Sequence, residues 1–407
     1  MIIAESEKKH GAVFEKNREG LTLYLVDFLR TFAISLPGIF VPLFIFQYPG
    51  KPVLLVSSLM ASNLLWVVLY YVIFSYSAAF FNLFATRVVF KQFGFKRSML
   101  WGMVFLMAGI ACLMAAGKSF GLLLLAPFFF GLSVHLYWIP FHIFFVRKSN
   151  TGGNFGKETA FLLFIQSLAA SLGPLISGLI ISQWGFEPVF ALTTFVLFLA
   201  SIPAFLFVSE GLHRDHNVFE LMRSYLKDAR TRRAGLAIGA RAGEAILFEI
   251  FWPILLFIVL RDFVKVGAIT AVSFFVSSLV MLWAGKKFET NSRSKIFPAS
   301  VFINAGLYVI RLFLLFPLGV YLIDIFHRIN GKIYTIGFTS AVYDAAETYG
   351  ASDFTIYREI VSHFGQAALL LAAGLLLVFL PDWKLIFLVC AFCSLGSLSL
   401  YRIKNKA

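Results

Sequence analysis

Residues 24–46 read YLVDFLRTFAISLPGIFVPLFIF. The run is long enough to cross a bilayer, because a spanning helix needs about 20 apolar residues. It also contains Asp27 and Arg30 near its start. Ionisable groups are costly inside a membrane and usually face a bundle interior or a water-filled cavity. The stretch therefore predicts a membrane-spanning helix with one polar face.

The same arrangement returns in the second half of the chain. Arg241 corresponds to Arg30, and Pro253 corresponds to Pro42 at the same offset, in RAGEAILFEIFWPILLFIV. A weaker similarity relates ETAFLLFIQSLAASLGPLISG to the later segment FTIYREIVSHFGQAALLLAAG. Arg and Pro in one register, each opening a half-chain, predict a duplicated membrane protein with a polar axis between its halves.

Composition excludes a soluble protein and argues against nucleic-acid binding. The chain is 59% hydrophobic with 49 Phe, against roughly 45–50% apolar residues in soluble domains. Its net charge is +14, but the basic residues are scattered between apolar runs, as expected of a membrane topology signal. Its cysteines lie in apolar runs, where packing is favoured over a metal or redox role. No nucleic acid, metal or cofactor is expected.

The apolar runs predict an all-α membrane protein of twelve transmembrane helices in two pseudo-symmetric six-helix bundles. The predicted spans are 21–47, 54–84, 98–117, 120–146, 158–183, 187–209, 234–259, 264–285, 297–316, 319–342, 357–380 and 384–402. Basic residues concentrate in the even-numbered connections. By the positive-inside rule, both termini and the central linker are expected on the cytoplasmic side of the plasma membrane.

Three parts follow from this division. They are an N-terminal bundle at 1–209, a basic linker at 210–233 and a C-terminal bundle at 234–407. Apolar linker residues at helical spacing predict a short helix at the cytoplasmic membrane surface. A plain tether is favoured for it over a regulatory or lipid-sensing role.

One loop resembles a signature of the major facilitator superfamily. That family carries G-x-x-x-D-R-x-G-R-K between helices two and three, and this chain has Gly94, Lys96 and Arg97 there, with Lys91 at the acidic position. In the second half, Gly285 and Glu289 occupy the corresponding loop. The resemblance implies a cytoplasmic gate, and the alternative is that these charges only set topology.

Two further elements resemble the same family. Span five carries Gly173, Pro174 and Gly178 at the spacing of a helix-five pattern found in antiporter-type exporters, although close helix packing explains the residues equally well. The family's R-x-x-Q-G element in helix four is absent. Span eleven contains Arg358 and Glu359 in a Y-x-x-R-E pattern, where gate or interface contacts are expected.

The resemblance implies that helices one, four, seven and ten line a central cavity. The polar and aromatic candidates on these spans are Asp27, Arg30, His135, Trp138, Arg241, Glu244, Trp252, Asp324, His327 and Arg328. The pairs Asp27–Arg30 and Arg241–Glu244 have i,i+3 spacing, so each pair is expected to neutralise itself as a structural or gating contact. Arg311, near the end of span nine, is expected to extend to the membrane surface.

Glu249 is the candidate for proton coupling. It lies near the middle of span seven, where a carboxyl group must be either paired or protonated. The alternative is a structural ion pair or hydrogen bond within the second half.

The favoured function is a secondary transporter that moves a small organic solute, anionic or amphiphilic, by alternating access with proton coupling. The alternatives are an uncoupled facilitator, a translocator of lipids or amphiphiles and, less favoured, a non-transporting receptor. The expected partners are the solute, protons and the lipid bilayer, and the chain is expected to be a monomer. An enzyme is not expected, because the sequence has neither a nucleophile–base pattern nor a GxxxxGK loop.

Overall fold

The structure is a computed structural model. It describes residues 18–48, 58–84, 86–149, 155–205, 217–288, 293–380 and 382–400. Of the predicted site residues, Glu289 lies outside these ranges, and Gly285 lies within a helix whose side chains there are not described.

The first half contains six spans, as predicted. Span one consists of the helices Arg18–Gly38 and Val41–Gln47, and spans two to six are Leu59–Phe84, Thr86–Met114, Phe120–Ser149, Phe155–Trp184 and Glu187–Ala204. The linker helix, Val218–Lys227, follows.

The second half repeats this arrangement. Spans seven to eleven are Ala229–Leu260, Phe263–Phe288, Arg293–Ile310, Pro317–Tyr349 and Ala351–Phe379, and span twelve contains the helix Ile386–Gly396. Ten of the described helical segments are long and apolar enough to cross a membrane. The apolar helical part of span nine, Ile296–Ile310, is shorter, and span ten carries the charged residues Asp324, Arg328 and Lys332. The fold is therefore all-α, with twelve spans in two six-helix bundles.

Span one is broken, which the continuous apolar run did not predict. Its first helix contains Pro37 and ends at Gly38, and the second begins at Val41 with Pro42 in its first turn. Proline lacks the backbone N–H that an uninterrupted helix requires, whereas in a first turn that N–H has no partner to lose. The two prolines thus place a bend in a span that lines the centre of the protein.

Gly94 interrupts the helical geometry near the start of span three. Its backbone angles are φ 69° and ψ 172°, inside the segment Thr86–Met114. A side chain at this positive φ would be strained, so glycine is the residue that permits the turn. The neighbouring Arg97 is exposed.

The halves pack together through span five against span eight and span two against span eleven. We call the end that holds the linker helix the linker end, and the opposite end the far end. At the far end, the Phe263 ring lies 6.2 Å from Phe40 and 5.6 Å from Phe186. Gly267, one turn further along span eight, lies so close to span five that a Cβ atom there would overlap the Pro174 carbonyl. The far end is therefore closed by aromatic rings and by backbone in close contact.

The linker helix packs against both halves. Val218 is buried in one apolar cluster with Ile139 and Ile143 of span four and Ile356 and Ile360 of span eleven. The predicted helix is confirmed, and its position at a membrane surface stays a prediction.

Asp228 separates the linker helix from span seven. Its carboxylate accepts a 2.9 Å hydrogen bond from the Thr231 backbone N–H at the first turn of span seven. This bond holds the pKa of Asp228 below its usual range. The residue is an N-cap, which ends one helix and starts the next.

Candidate transport site

A cavity of about 480 Å³ lies between the two halves. Of the predicted cavity and proton-coupling residues, those that line it are Arg30, Trp138, Arg241, Glu244, Glu249, Trp252, His327 and Arg328. Its volume is within the usual range for small-molecule sites. The structure thus brings together candidates that come from four separate spans.

Three of the candidates do not line this cavity. Asp27, His135 and Asp324 are fully buried and lie outside its lining. The His135 Nδ1 atom is 2.6 Å from the Oδ1 atom of Asn82, on span two. These three side chains are placed to hold helices together rather than to contact a solute directly.

Arg30 is held by aromatic rings. Its guanidinium carbon lies 3.8 Å from the centre of the Tyr137 ring and 4.9 Å from that of Trp138, both on span four. The Asp27 carboxylate accepts a 2.9 Å hydrogen bond from the Gln166 amide of span five. Within the described ranges no hydrogen bond or ion pair joins Asp27 to Arg30, so the members of this i,i+3 pair make direct contacts with other spans and act on each other only at longer range.

Glu244 is the centre of a polar network in the second half. Its Oε1 atom accepts hydrogen bonds from Asn304 at 2.7 Å and from Tyr308 at 2.8 Å. Its Oε2 atom accepts one from Tyr334 at 3.3 Å and lies 3.5 Å from the Arg241 guanidinium. The predicted contact between Arg241 and Glu244 is present, and the Glu244 carboxylate is surrounded by hydrogen-bond donors.

Arg241 repeats the environment of Arg30. Its guanidinium carbon lies 4.6 Å from the centre of the Tyr334 ring on span ten, as Arg30 lies over Tyr137 on span four. Arg241 also donates a 3.2 Å hydrogen bond to the Thr335 hydroxyl. The sequence duplication around these arginines therefore has a structural counterpart.

Asp324 joins spans seven and ten. It accepts hydrogen bonds from the Trp252 indole N–H at 2.6 Å and from the Arg328 Nε–H at 2.9 Å. Asp324 and Trp252 are buried. Arg328 lines the cavity, and its Nε–H is the group that Asp324 binds.

Replacing Trp252 with Phe is expected to destabilise the protein by about 1–3 kcal/mol, because a buried carboxylate oxygen loses its donor. The measurement is the thermal unfolding midpoint of the purified protein in detergent. The control is Trp101→Phe, at a side chain that is 47% exposed, with an expected change within about 0.5 kcal/mol. Equal midpoints for the two variants would contradict a stabilising role for the indole donor.

Glu249 is placed differently from the other acids. Its side chain is exposed to the cavity. In the part of the chain that the structure describes, it makes neither a hydrogen bond nor an ion pair. Arg241, Arg328 and Lys332 lie within electrostatic range of it, as does the Tyr71 hydroxyl of span two. Glu249 is therefore a carboxyl group at the cavity surface with no direct partner among the described residues.

Another cavity, of about 460 Å³, lies towards the linker end and includes Arg358 and Glu359 of span eleven. The Arg358 Nε–H donates a 3.0 Å hydrogen bond to Glu359. At the same end, the His142 Nδ1 atom of span four is 2.9 Å from the Tyr343 hydroxyl of span ten. This contact links the two halves and places a polar closure at the linker end.

Gly173 and Gly178 lie where neighbouring backbones approach span five. A Cβ atom at Gly173 would lie 2.7 Å from the Leu36 backbone nitrogen of span one, and one at Gly178 would lie 2.6 Å from the Phe263 carbonyl oxygen of span eight. Pro174 lies between them and lines the cavity. Close packing accounts for both glycines.

The position of Arg311 contradicts the prediction that its side chain extends to the membrane surface. The side chain is 1% exposed, and its guanidinium carbon lies 4.2 Å from the Trp252 ring centre and 4.6 Å from that of Phe248. None of its nitrogens has a hydrogen-bond partner among the described residues. Arg311 points inwards because aromatic faces attract its charge, so it does not reach the membrane surface.

Several residues that line the cavity were not identified from the sequence. Lys332 lines the cavity, and a lysine in the middle of an apolar span was a signal that could have identified it. Gln166, Asn304 and Tyr308 are uncharged, so no such signal marked them.

No family model matches the chain, and no curated protein matches its sequence. The structure is similar to solved structures of transporters. The major facilitator superfamily transporter FucP in its outward conformation has a TM-score of 0.64 at 14% identity, covering 95% of this chain and 98% of that one. A variant of the E. coli fucose:proton symporter FucP gives 0.63 at 12% identity, with 95% and 98% coverage.

The human organic anion transporter MFSD10 (TETRAN) has a TM-score of 0.64 at 11% identity, covering 95% of this chain and 99% of that one. Because the sequence identity is low in all three cases, the structural similarity establishes the fold alone. It extends over nearly the whole chain in each case. The protein therefore has the multi-pass membrane fold of the major facilitator superfamily transporters.

Proposed function

We propose that this protein is a secondary transporter that carries a small organic solute, anionic or amphiphilic, across the membrane by alternating access, coupled to protons through Glu249. The observation that carries the proposal is the free Glu249 carboxyl in a cavity between two halves. The halves contact each other at both ends of that cavity, through Phe40 and Phe263 at the far end and His142 and Tyr343 at the linker end. Breaking one set of contacts at a time would expose the cavity to one side at a time.

Glu249 differs from the acids Glu244 and Asp324 in the hydrogen bonds that adding a proton would disturb. Adding a proton to Glu244 or Asp324 would weaken hydrogen bonds from buried donors. Adding one to Glu249 breaks no hydrogen bond with a described residue. A group that gains and loses a proton at little structural cost suits repeated coupling.

The chemistry of the similar structures supports the same class of activity. One is described as a fucose:proton symporter and another as an organic anion transporter. We propose for this chain a proton-coupled organic solute, with the linker end facing the cytoplasm and a monomer in the plasma membrane as the working unit.

The experiment is proton movement in liposomes that contain the purified protein. Defined pools of sugars, monocarboxylates, dicarboxylates and aromatic acids are added, and internal pH is recorded with a trapped dye. A pool that is transported should move protons in the parent chain, and Glu249→Gln should reduce this signal at least tenfold. The control is Glu187→Gln, which makes the same change at an exposed residue outside the described cavities.

Solute uptake with no proton signal, unchanged in Glu249→Gln, would contradict coupling. It would support the uncoupled facilitator or the translocator of lipids and amphiphiles. Failure of every pool to cross the membrane would favour the non-transporting receptor.

A further inference from the structure

Span ten presents two cations to the cavity on one helix face. Arg328 and Lys332 are one helical turn apart, and both line the cavity. The Arg328 guanidinium carbon lies 4.1 Å from the centre of the Phe274 ring of span eight, and the Lys332 Nζ atom lies 5.5 Å from it. Both charged groups therefore lie near one aromatic ring.

These two charges are only partly compensated by the protein. The hydrogen bond from Arg328 to Asp324 uses Nε and leaves the two terminal nitrogens. Lys332 has neither an ion pair nor a hydrogen bond with any described residue. Like charges at i,i+4 repel, and the repulsion is greater where water is scarce.

The nearby carboxylates do not supply the missing partner. Glu244 is occupied by Arg241 and by hydroxyl and amide donors. Glu249 is within electrostatic range of Arg328 and Lys332, without an ion-pair contact to either in the described structure. If Glu249 carries the transported proton, it is neutral at that stage, and the cation pair then lacks even this distant counter-charge.

We propose that Arg328 and Lys332 bind the anionic group of an organic anion, a carboxylate or sulfonate, and that this anion is the transported solute. The inference rests on the proposed function. The terminal nitrogens of Arg328 donate to two oxygens of the anion, and Lys332 donates to one of them. The aromatic side chains of Phe248, Trp252 and Tyr71, which line the same cavity, contact the apolar body of the solute.

Gly331 offers a reporter position beside this site. It lines the cavity, and a Cβ atom there would meet nothing within 4 Å. Gly331→Cys is made in a chain whose native Cys112, Cys390 and Cys393 are replaced by Ala. Its modification by neutral methyl methanethiosulfonate is timed with benzoate, benzenesulfonate or hexanoate, each against its uncharged amide.

We expect at least one of the anions to slow modification threefold or more, while its amide does not. Lys332→Gln should abolish this protection, and the charge-conserving Lys332→Arg should retain it. The matched control is Gly38→Cys, since Gly38 also lines the cavity and has the same free space but lies on span one. Protection there should be smaller and insensitive to Lys332→Gln.

Equal protection by anion and amide, no protection by any of the anions, or protection that survives Lys332→Gln would overturn the proposal. So would the absence of any reaction with the neutral reagent, because the site would then be closed to solutes. The assay records binding without transport or proton flow. Anion protection in a protein that moves no protons would therefore refute coupling while leaving the anion site intact.

Discussion

Replacing Glu244 with Leu is expected to destabilise the protein by about 3–5 kcal/mol, because removing one member of a buried charged network strands the others. Arg241 would lose its carboxylate partner in a site with little water. Asn304, Tyr308 and Tyr334 would lose the acceptor that joins spans nine and ten to span seven. The measurement is the thermal unfolding midpoint of the purified protein in detergent.

The control lies on the same helix. Glu249→Leu removes a carboxyl that makes no hydrogen bond with any described residue, and its expected effect on stability is within about 0.5 kcal/mol. Transport per folded protein should show the opposite order: Glu249→Leu should reduce it more than Glu244→Leu does. Similar stabilities for the two variants would contradict the division between a structural and a functional glutamate.

Replacing Gly267 with Val is expected to reduce transport at least tenfold while leaving each half folded. A Cβ atom at Gly267 would overlap the Pro174 carbonyl of the other half. Backbone cannot rotate away from such an overlap, so the halves cannot close at the far end. The measurement is solute uptake, together with the reactivity of Gly38→Cys towards a membrane-impermeant thiol reagent, which should rise from the far side.

Gly306→Val is the matched control for this change. Gly306 is on span nine, and a Cβ atom there meets nothing within 4 Å. Uptake should stay within twofold of the parent chain. Normal uptake by Gly267→Val would show that the far-end contact is not part of the transport cycle.

Hydropathy was sufficient to predict the number and order of the spans. It did not predict the ends of helices that continue beyond the apolar run through turns with charged residues. Span ten was predicted to end at residue 342, and its helix continues to Tyr349. The added turns contain Asp344 and Glu347, which lower the apolar signal although a helix beyond the membrane tolerates them. The break in span one was likewise not predicted, because hydropathy stays high on both sides of Pro37 and Pro42, as it does in one continuous span.

The site was less predictable, since its contacts join residues that are distant in sequence. Spacing correctly predicted the Arg241–Glu244 pair. The same spacing gives no direct contact between Asp27 and Arg30, because Gln166 and the ring of Tyr137 contact those two groups from other spans. Arg311 failed for a related reason, as no local pattern shows that aromatic rings from spans seven and nine surround it.

Val218 has a consequence for the timing of the proposed cycle. It belongs to one apolar cluster with Ile139 and Ile143 of one half and Ile356 and Ile360 of the other. When the linker end opens, that cluster must divide and expose apolar surface, at about 25 cal/mol per Å². This energy adds to the barrier for opening towards that side. In the proposed cycle, the apolar contacts of the linker helix are therefore expected to lengthen the time for which the linker end stays closed, and so to slow turnover.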